Sequence, residues 1–432
     1  MKGYLSPAVE VRRLARLVGA QAEDLAYFER LEGQAIRDLR DQVAVVMFDA
    51  DRQLLQRVAA ATKLIPVKLG AVIGERAFGP LLCARITGLL DPSRAVEIAQ
   101  HLSVTFLADL CLHLDPRRAS RVIGEMPPAT VAAIASELVA GEEYITMGGF
   151  VGHLSKAALL AALNAVDDES LLRTAYVIEA KQNIGALVAL LPDERLDDII
   201  ATASSADLWI EALDVLGHVT ERQRGALGDL AAGQDDEVLD SMVRAALRND
   251  LWSEVLPVVR AMSPKSRKRF AALKSIQARP VLATIIGAAA QDSLWAELLV
   301  LLPLLPITAR RQVATLATAF NRETLERVIS AAYEEELWPA LIAFATELDK
   351  GPRREIAKLI DQSDTDVLQS LLSAVHDTGL EADLVAMIRE LPATGQRHLG
   401  TRIAAAPPEL VDALTAAADE AGLRPFSEAL HS

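Results

Sequence analysis

Leucine returns every 43 residues through the second half of this 432-residue chain, at Leu208, Leu251, Leu294, Leu337, Leu380 and Leu423. The first four are followed by Trp209, Trp252, Trp295 and Trp338, which are all the tryptophans of the chain. A period held this strictly means that one supersecondary unit is stacked on itself. Each copy leaves an apolar side that the next copy covers.

Residues 235–275 show what the unit is made of. DDEVLDSMVRAALRND places apolar residues at Val238, Leu239, Met242, Val243, Ala246 and Leu247, a helical stripe with acids at its N-terminal end. LWSEVLPVVRAM then reads as a shorter, more apolar helix, and SPKSRKRFAALKS as a third, with Ser263 as N-cap and Pro264 at the first helical position. Other columns keep the register: Leu196, Leu239, Leu282, Leu325, Leu368 and Val411 in the first helix, with Ala245, Ala288, Ala331, Ala374 and Ala417 beside them. With 51% hydrophobic but only 4% aromatic residues, helices packed through Ala and Leu are favoured over strands.

Three helices in 43 residues resemble armadillo/HEAT-type units. The expectation is an all-α fold, an α-solenoid in which about eight two- and three-helix repeats form a right-handed superhelix with an N-terminal helical cap. Regular repeats are expected over 192–432 and irregular ones over 91–191, with 1–90 as the cap or an oligomerisation region. The Pro-opened helices in LDPRRASRVIGEMPP and ALLPDERLDDII are similar to the intracellular helical domain of MgtE-type magnesium transporters over residues 90–200. That resemblance implies a regulatory superhelix. It does not imply transport, because the strongest apolar run, Leu298 to Ile307, contains two prolines and is far below the ~20 residues of a spanning helix.

Residues 8–62 alternate apolar spacings of three and four between dense charges and read as one or two long amphipathic helices. They either cap the first repeat or self-associate as a short coiled coil. Residues 64–90 are apolar on nearly every face and are expected to be buried, or to line an apolar cavity. Net charge is −15, which argues against a general nucleic-acid or anionic-membrane surface, although residues 1–90 carry 13 Lys/Arg against 10 Asp/Glu. The N-terminus lacks the apolar region of an export signal, so a cytoplasmic protein is expected. Cys83 and Cys111, in apolar sequence, read as small hydrophobes.

Two sets of residues carry candidate function. Arg224, Arg267, Arg310 and Arg353 stand 43 apart, and Lys268, Arg311, Arg354 and Arg397 form the adjacent column. These cations either pair internally, with Glu211, Glu254, Glu297 and Asp383 as the parallel acids, or form a stripe that docks an acidic segment. The column of Trp209, Trp252, Trp295 and Trp338 has the same two readings, contact residues or plugs between repeats. The glycine cluster Gly148, Gly149 and Gly152 suits close helix approach, and Phe78, Phe106, Tyr144, Met147 and Phe150 are the candidate lining of a small-molecule pocket.

Catalytic and metal signatures fail in turn. The seven histidines have no paired spacing, and Asp49 and Asp51 begin like a calcium loop but Leu54 stands where glycine is required. No cofactor is called for. The sequence therefore points to a non-enzymatic binding protein, a scaffold or regulatory subunit gripping a protein partner along a superhelical groove. The alternative is a carrier or sensor of an apolar small molecule, fatty-acyl or sterol-like, held in the N-terminal half.

Overall fold

A computed structural model describes residues 7–431, apart from the side chains of 47–52 and 54. The fold is all-α, with no strand among the described residues. Asp49, Asp51 and Leu54 lie among the side chains outside this description, on backbone that belongs to the helix Gly33–Ala61.

The 43-residue period holds for the start of every helix in the regular series. First helices begin at Asp193, Asp236, Arg279, Arg322, Thr365 and Pro408, second helices at Trp209, Trp252, Trp295, Trp338, Glu381 and Arg424, and third helices at Glu221, Pro264, Ile307, Lys350 and Ala393. Local signals set these starts. Thr220 closes a capping box with Gln223, while the Ser263 and Asn321 side chains accept from the amides of Ser266 and Thr324.

The recurring leucine itself acts through its backbone. Each first helix ends in a left-handed residue: Asp207, Asp250, Ser293, Glu336, Gly379 and Gly422, again 43 apart, with φ between 54° and 70°. The leucine that follows donates its amide to the carbonyl five residues back, Leu251 to Ala246 and Leu337 to Ala332 for example, which is a Schellman closure. That turn reverses the chain within two residues and sends it directly into the second helix. The carbonyl partners, Ala203, Ala246, Ala289, Ala332, Val375 and Ala418, are all fully buried. The consistently buried column is therefore this one, one residue after the alanines picked out by sequence.

Two compact units make up the chain, Met1–His218 and Val219–Ser432. The first unit includes the helices Asp193–Ser205 and Trp209–Gly217, which both pack on Asp168–Tyr176, and Asp214 pairs with Lys181. In the second unit, second helices neighbour one another: Trp252–Ala261 packs on Trp295–Leu301, and Trp338–Glu347 packs on Glu381–Ile388. Leu239, Leu282, Leu325 and Leu368 are buried in the first helices, each contributing about 1.5–3 kcal/mol of hydrophobic stabilisation.

The first unit opens with two helices, Pro7–Val18 and the long Gly33–Ala61, and a 3₁₀ segment, Glu23–Arg30, between them. They are tied to later residues by charge. Arg13 donates to the Val177 carbonyl, Arg16 pairs with Glu143 at 2.6 Å, and Arg40 bridges Glu10 and Glu179 at 2.9 Å each. Farther on, the irregular repeats form triplets such as Pro128–Ala140, Tyr144–Phe150 and Lys156–Ala165. The glycine cluster provides close approach: a Cβ on Gly148 would stand 2.8 Å from the Val177 carbonyl oxygen.

Candidate functional site

Each of Trp209, Trp252, Trp295 and Trp338 opens a second helix, and all four are only 0–4% exposed. A partner does not reach them, so as contact residues they are corrected to plugs between packed helices. Trp338 donates Nε1 to the Ser370 hydroxyl at 2.9 Å, and Trp295 meets Phe320 edge-on at 5.4 Å. The indole N–H groups of Trp252 and Trp295 are buried without an acceptor.

The two basic columns, adjacent in sequence, have different fates. Arg353 turns back onto the end of the second helix of its own repeat, donating to the carbonyls of Ala345, Thr346 and Leu348 at 3.1, 2.5 and 2.7 Å. It also stands 3.7 Å from Glu390 of the next repeat. Arg310 pairs with Glu347 at 3.2 Å, the equivalent acid one repeat earlier. Arg267 has Leu304 in that place, and its Nε is buried without a hydrogen bond. Its charge acts instead on Asp229: burial raises that carboxyl, but hydrogen bonds from Ser266 and Ser263 and the Arg267 charge bring it below its ordinary range.

One repeat beyond Arg353 the column becomes Gln396, whose amide donates to the carbonyls of Leu391 and Arg389 at 2.9 and 3.4 Å. These are the counterparts of Leu348 and Thr346. Arg353 and Gln396 thus share one task, capping helix-end carbonyls, which suits any long donor. Arg224, Arg267, Arg310 and Arg353 are all half-buried. The offsetting acids are Glu347 and Glu390 at the far ends of second helices; Glu297 pairs with Arg260 instead, at 3.3 Å.

The next column points to solvent. Lys268, Arg311, Arg354 and Arg397 are all exposed. Arg354 donates Nε to the Glu390 carbonyl at 3.0 Å, whereas the side chains of Lys268, Arg311 and Arg397 make no ion pair or hydrogen bond among the described residues. The third helices that carry Lys268, Arg311 and Arg397 contain no acid, although residues 219–432 hold 23 Lys/Arg against 30 Asp/Glu. First helices hold much of that acid, as in Asp236, Glu237 and Asp240. Third helices are aligned side by side by further arginines: Arg269 reaches the carbonyls of Ala232 and Gln234, and Arg402 those of Asp361 and Ser363. The result is an ordered row of solvated cations on an otherwise acidic unit.

The candidate pocket residues serve separate seams. Phe106 packs with Ala84 and Leu110, the Met147 sulfur accepts from Thr174 at 3.9 Å, and Phe78 is exposed. Tyr144 and Phe150 are half-buried at the two ends of the Tyr144–Phe150 helix. Residues 64–90 are not buried throughout: Ile86 and Ala84 are interior, but Leu64, Leu69, Val72, Phe78 and Leu81 face solvent. Sequence reading counted apolar residues there without an inward direction to assign them.

Sequence reading also missed a charge cluster. Glu10, Arg13 and Arg40 are buried, and Glu179 receives Arg13, Arg37, Arg40 and Arg117 within 3.6 Å. Burial alone would raise the Glu179 carboxyl, yet the four guanidinium groups hold it below the ordinary glutamate range. The signal was present, since Glu10 lies on the stripe of Val11 and Leu14, and Arg40 on that of Ile36 and Val43.

Nearby, Lys181 comes closest to a catalytic arrangement, beside Asp214 and His218. Burial lowers the pKa of the lysine, but its ammonium is saturated by Asp214 and by the carbonyls of Tyr176 and Ala175 at 2.8 and 3.2 Å. Burial likewise pushes the Cys83 and Cys111 thiols up to about 11 and about 12, away from nucleophilic thiolate. Among the described residues there is no metal-ligating cluster of three or more His, Cys, Asp or Glu, and no helix is long and apolar enough to cross a membrane.

Comparison with protein-family models gives no match, and comparison with curated proteins gives none.

Proposed function

We propose that this chain is a non-enzymatic binding protein, an α-solenoid whose third helices present a ladder of cations to an acidic, extended protein segment. The observation that carries this reading is the contrast between neighbouring columns. Arg310 and Arg353 are engaged internally, while Lys268, Arg311 and Arg397 stay solvated and unpaired. Support for a solenoid comes from the helix starts at a constant period and from second helices that neighbour their equivalents. A regulatory or scaffolding role fits such an array, as does the resemblance of residues 90–200 to a regulatory superhelix.

Spacing argues for a peptide over a nucleic acid. Packed helices lie about 8–10 Å apart, so the ladder offers one cation at that interval. A polyproline II chain advances about 3.1 Å per residue with three residues per turn, so carboxylates three residues apart lie on one side and meet successive rungs. A duplex, with a charge for about every 1.7 Å of axis, would face repulsion from the surrounding acidic surface. Exposed pairs contribute about 0.2–1 kcal/mol each, so binding is modest and salt-sensitive.

The test is fluorescence anisotropy with a labelled peptide bearing glutamate at every third position. The intact protein should bind it at low salt, and K268E/R311E/R397E should weaken binding by roughly tenfold or more at unchanged helicity. Equal binding by the variant would refute the ladder. Tighter binding of a duplex oligonucleotide than of the peptide would move the assignment to nucleic acid.

A further inference from the structure

We infer that the segment Lys63–Leu81 in the N-terminal unit docks on an anionic membrane surface. The helix Val67–Ile73 is packed inside out. Its inward side is made of small residues, Gly70 against Ile65 and Ile98, Ala71 fully buried, and Gly74 beyond it, where a Cβ would stand 3.3 Å from the Cys83 sulfur. Packing through small residues turns the large apolar ones outward: Leu69 and Val72 on this helix, then Phe78 before the break at Gly79 (φ 72°) and Leu81 after it. Leu64, in the turn that leads in, is 86% exposed. Five large apolar side chains within 18 residues of chain are a concentration that scattered surface hydrophobes do not give.

Charge identifies the occupant. Lys63, Lys68 and Arg76 are exposed among these apolar residues against a single acid, Glu75, which leaves the segment net positive. The local sign is opposite to that of the whole chain. A second copy docked face to face would bring like charges together, which disfavours a symmetric dimer through this surface. A leucine that projects as far as Leu64 would need a fitted cavity in a protein partner, whereas the headgroup–acyl boundary of a bilayer accepts it without one. Lys63 and Lys68 extend their aliphatic stems along that boundary and leave their ammonium groups at phosphate level. No helix of the described residues spans a bilayer, so the association is peripheral.

Vesicle flotation of the full chain tests this. Vesicles of equal parts phosphatidylglycerol and phosphatidylcholine should carry the protein upward, and pure phosphatidylcholine should carry far less. K63E/K68E should reduce binding to the anionic vesicles by roughly thirtyfold or more, and L64E by roughly tenfold or more. Both variants alter exposed residues, and circular dichroism checks that helicity is retained. No flotation with the anionic vesicles, or equal flotation of wild type and both variants, overturns the inference. So does a lipid-free dimer, seen by sedimentation, that L64E disperses.

Discussion

The two units of this chain treat buried polar groups in opposite ways. Near Glu179 in the first unit, charged side chains are themselves interior: Glu10 is fully buried and shares Arg13 and Arg40 with Glu179. In the second unit the interior is apolar, and Arg353 and Gln396 enter only far enough to satisfy helix-end carbonyls. Repeats of one pattern meet through recurring apolar faces, with arginines such as Arg269 and Arg402 aligning neighbours at the edge. An irregular junction has no such template. A set of charges that is satisfied in only one arrangement serves there, although each ion must be desolvated to form it.

This contrast is open to direct attack, beginning where the effect is largest. Glu10→Ala would leave Arg13 and Arg40 short of a buried counter-charge and should cost about 3–5 kcal/mol by urea unfolding. A cost below about 1 kcal/mol would mean that solvent already screens the cluster. The cluster should also confer acid sensitivity. Glu179 is held below its ordinary value of 4.5, so its contribution is present above that pH and is lost as pH falls through the lower folded value. Fluorescence of Trp209 in a variant lacking the other tryptophans should report unfolding of the first unit in that range, with Glu179→Gln shifting the acid transition.

In the second unit, Arg353→Ala should cost about 1–3 kcal/mol by stranding carbonyls, whereas Arg353→Gln should cost under about 1 kcal/mol, because Gln396 already does the same work. Equal losses would show that charge, not capping, matters there. The tryptophan column offers a smaller test. Trp338→Phe gives up a hydrogen bond to Ser370 and should destabilise by about 1 kcal/mol more than Trp252→Phe, which removes an unsatisfied donor. Smallest of all, Glu336→Gly relieves a left-handed residue and should raise stability by about 0.5–1 kcal/mol, while Gly379→Ala should lower it by a similar amount.

Much of the second unit was legible in its sequence because one period governs it. Helix order and the ends of helices follow from Leu-Trp steps and from Ser263- and Pro264-type starts. The turn chemistry was also in view: Gly379 and Gly422 share a column with Asp207, Asp250, Ser293 and Glu336, and only a left-handed position explains glycine there. Direction was harder to read. Arg353 and Arg354 are adjacent and identical in type, yet a rotation of about 100° on the helix separates an internal cap from a solvated cation. In the same way Leu69 and Ala71 are both apolar, and only packing through Gly70 and Gly74 reveals which one faces out. Long-range charge pairing, such as Arg13 to Val177 or Arg40 to Glu179, leaves no local spacing to recognise.

The division of labour between the two basic columns is the claim on which the functional reading rests. Its most direct test measures acidic-peptide affinity for two neutralised proteins, R310Q/R353Q and K268Q/R311Q/R397Q, side by side. The account predicts that the first keeps wild-type affinity and the second loses most of it. Loss of affinity in R310Q/R353Q with binding retained in K268Q/R311Q/R397Q would contradict it.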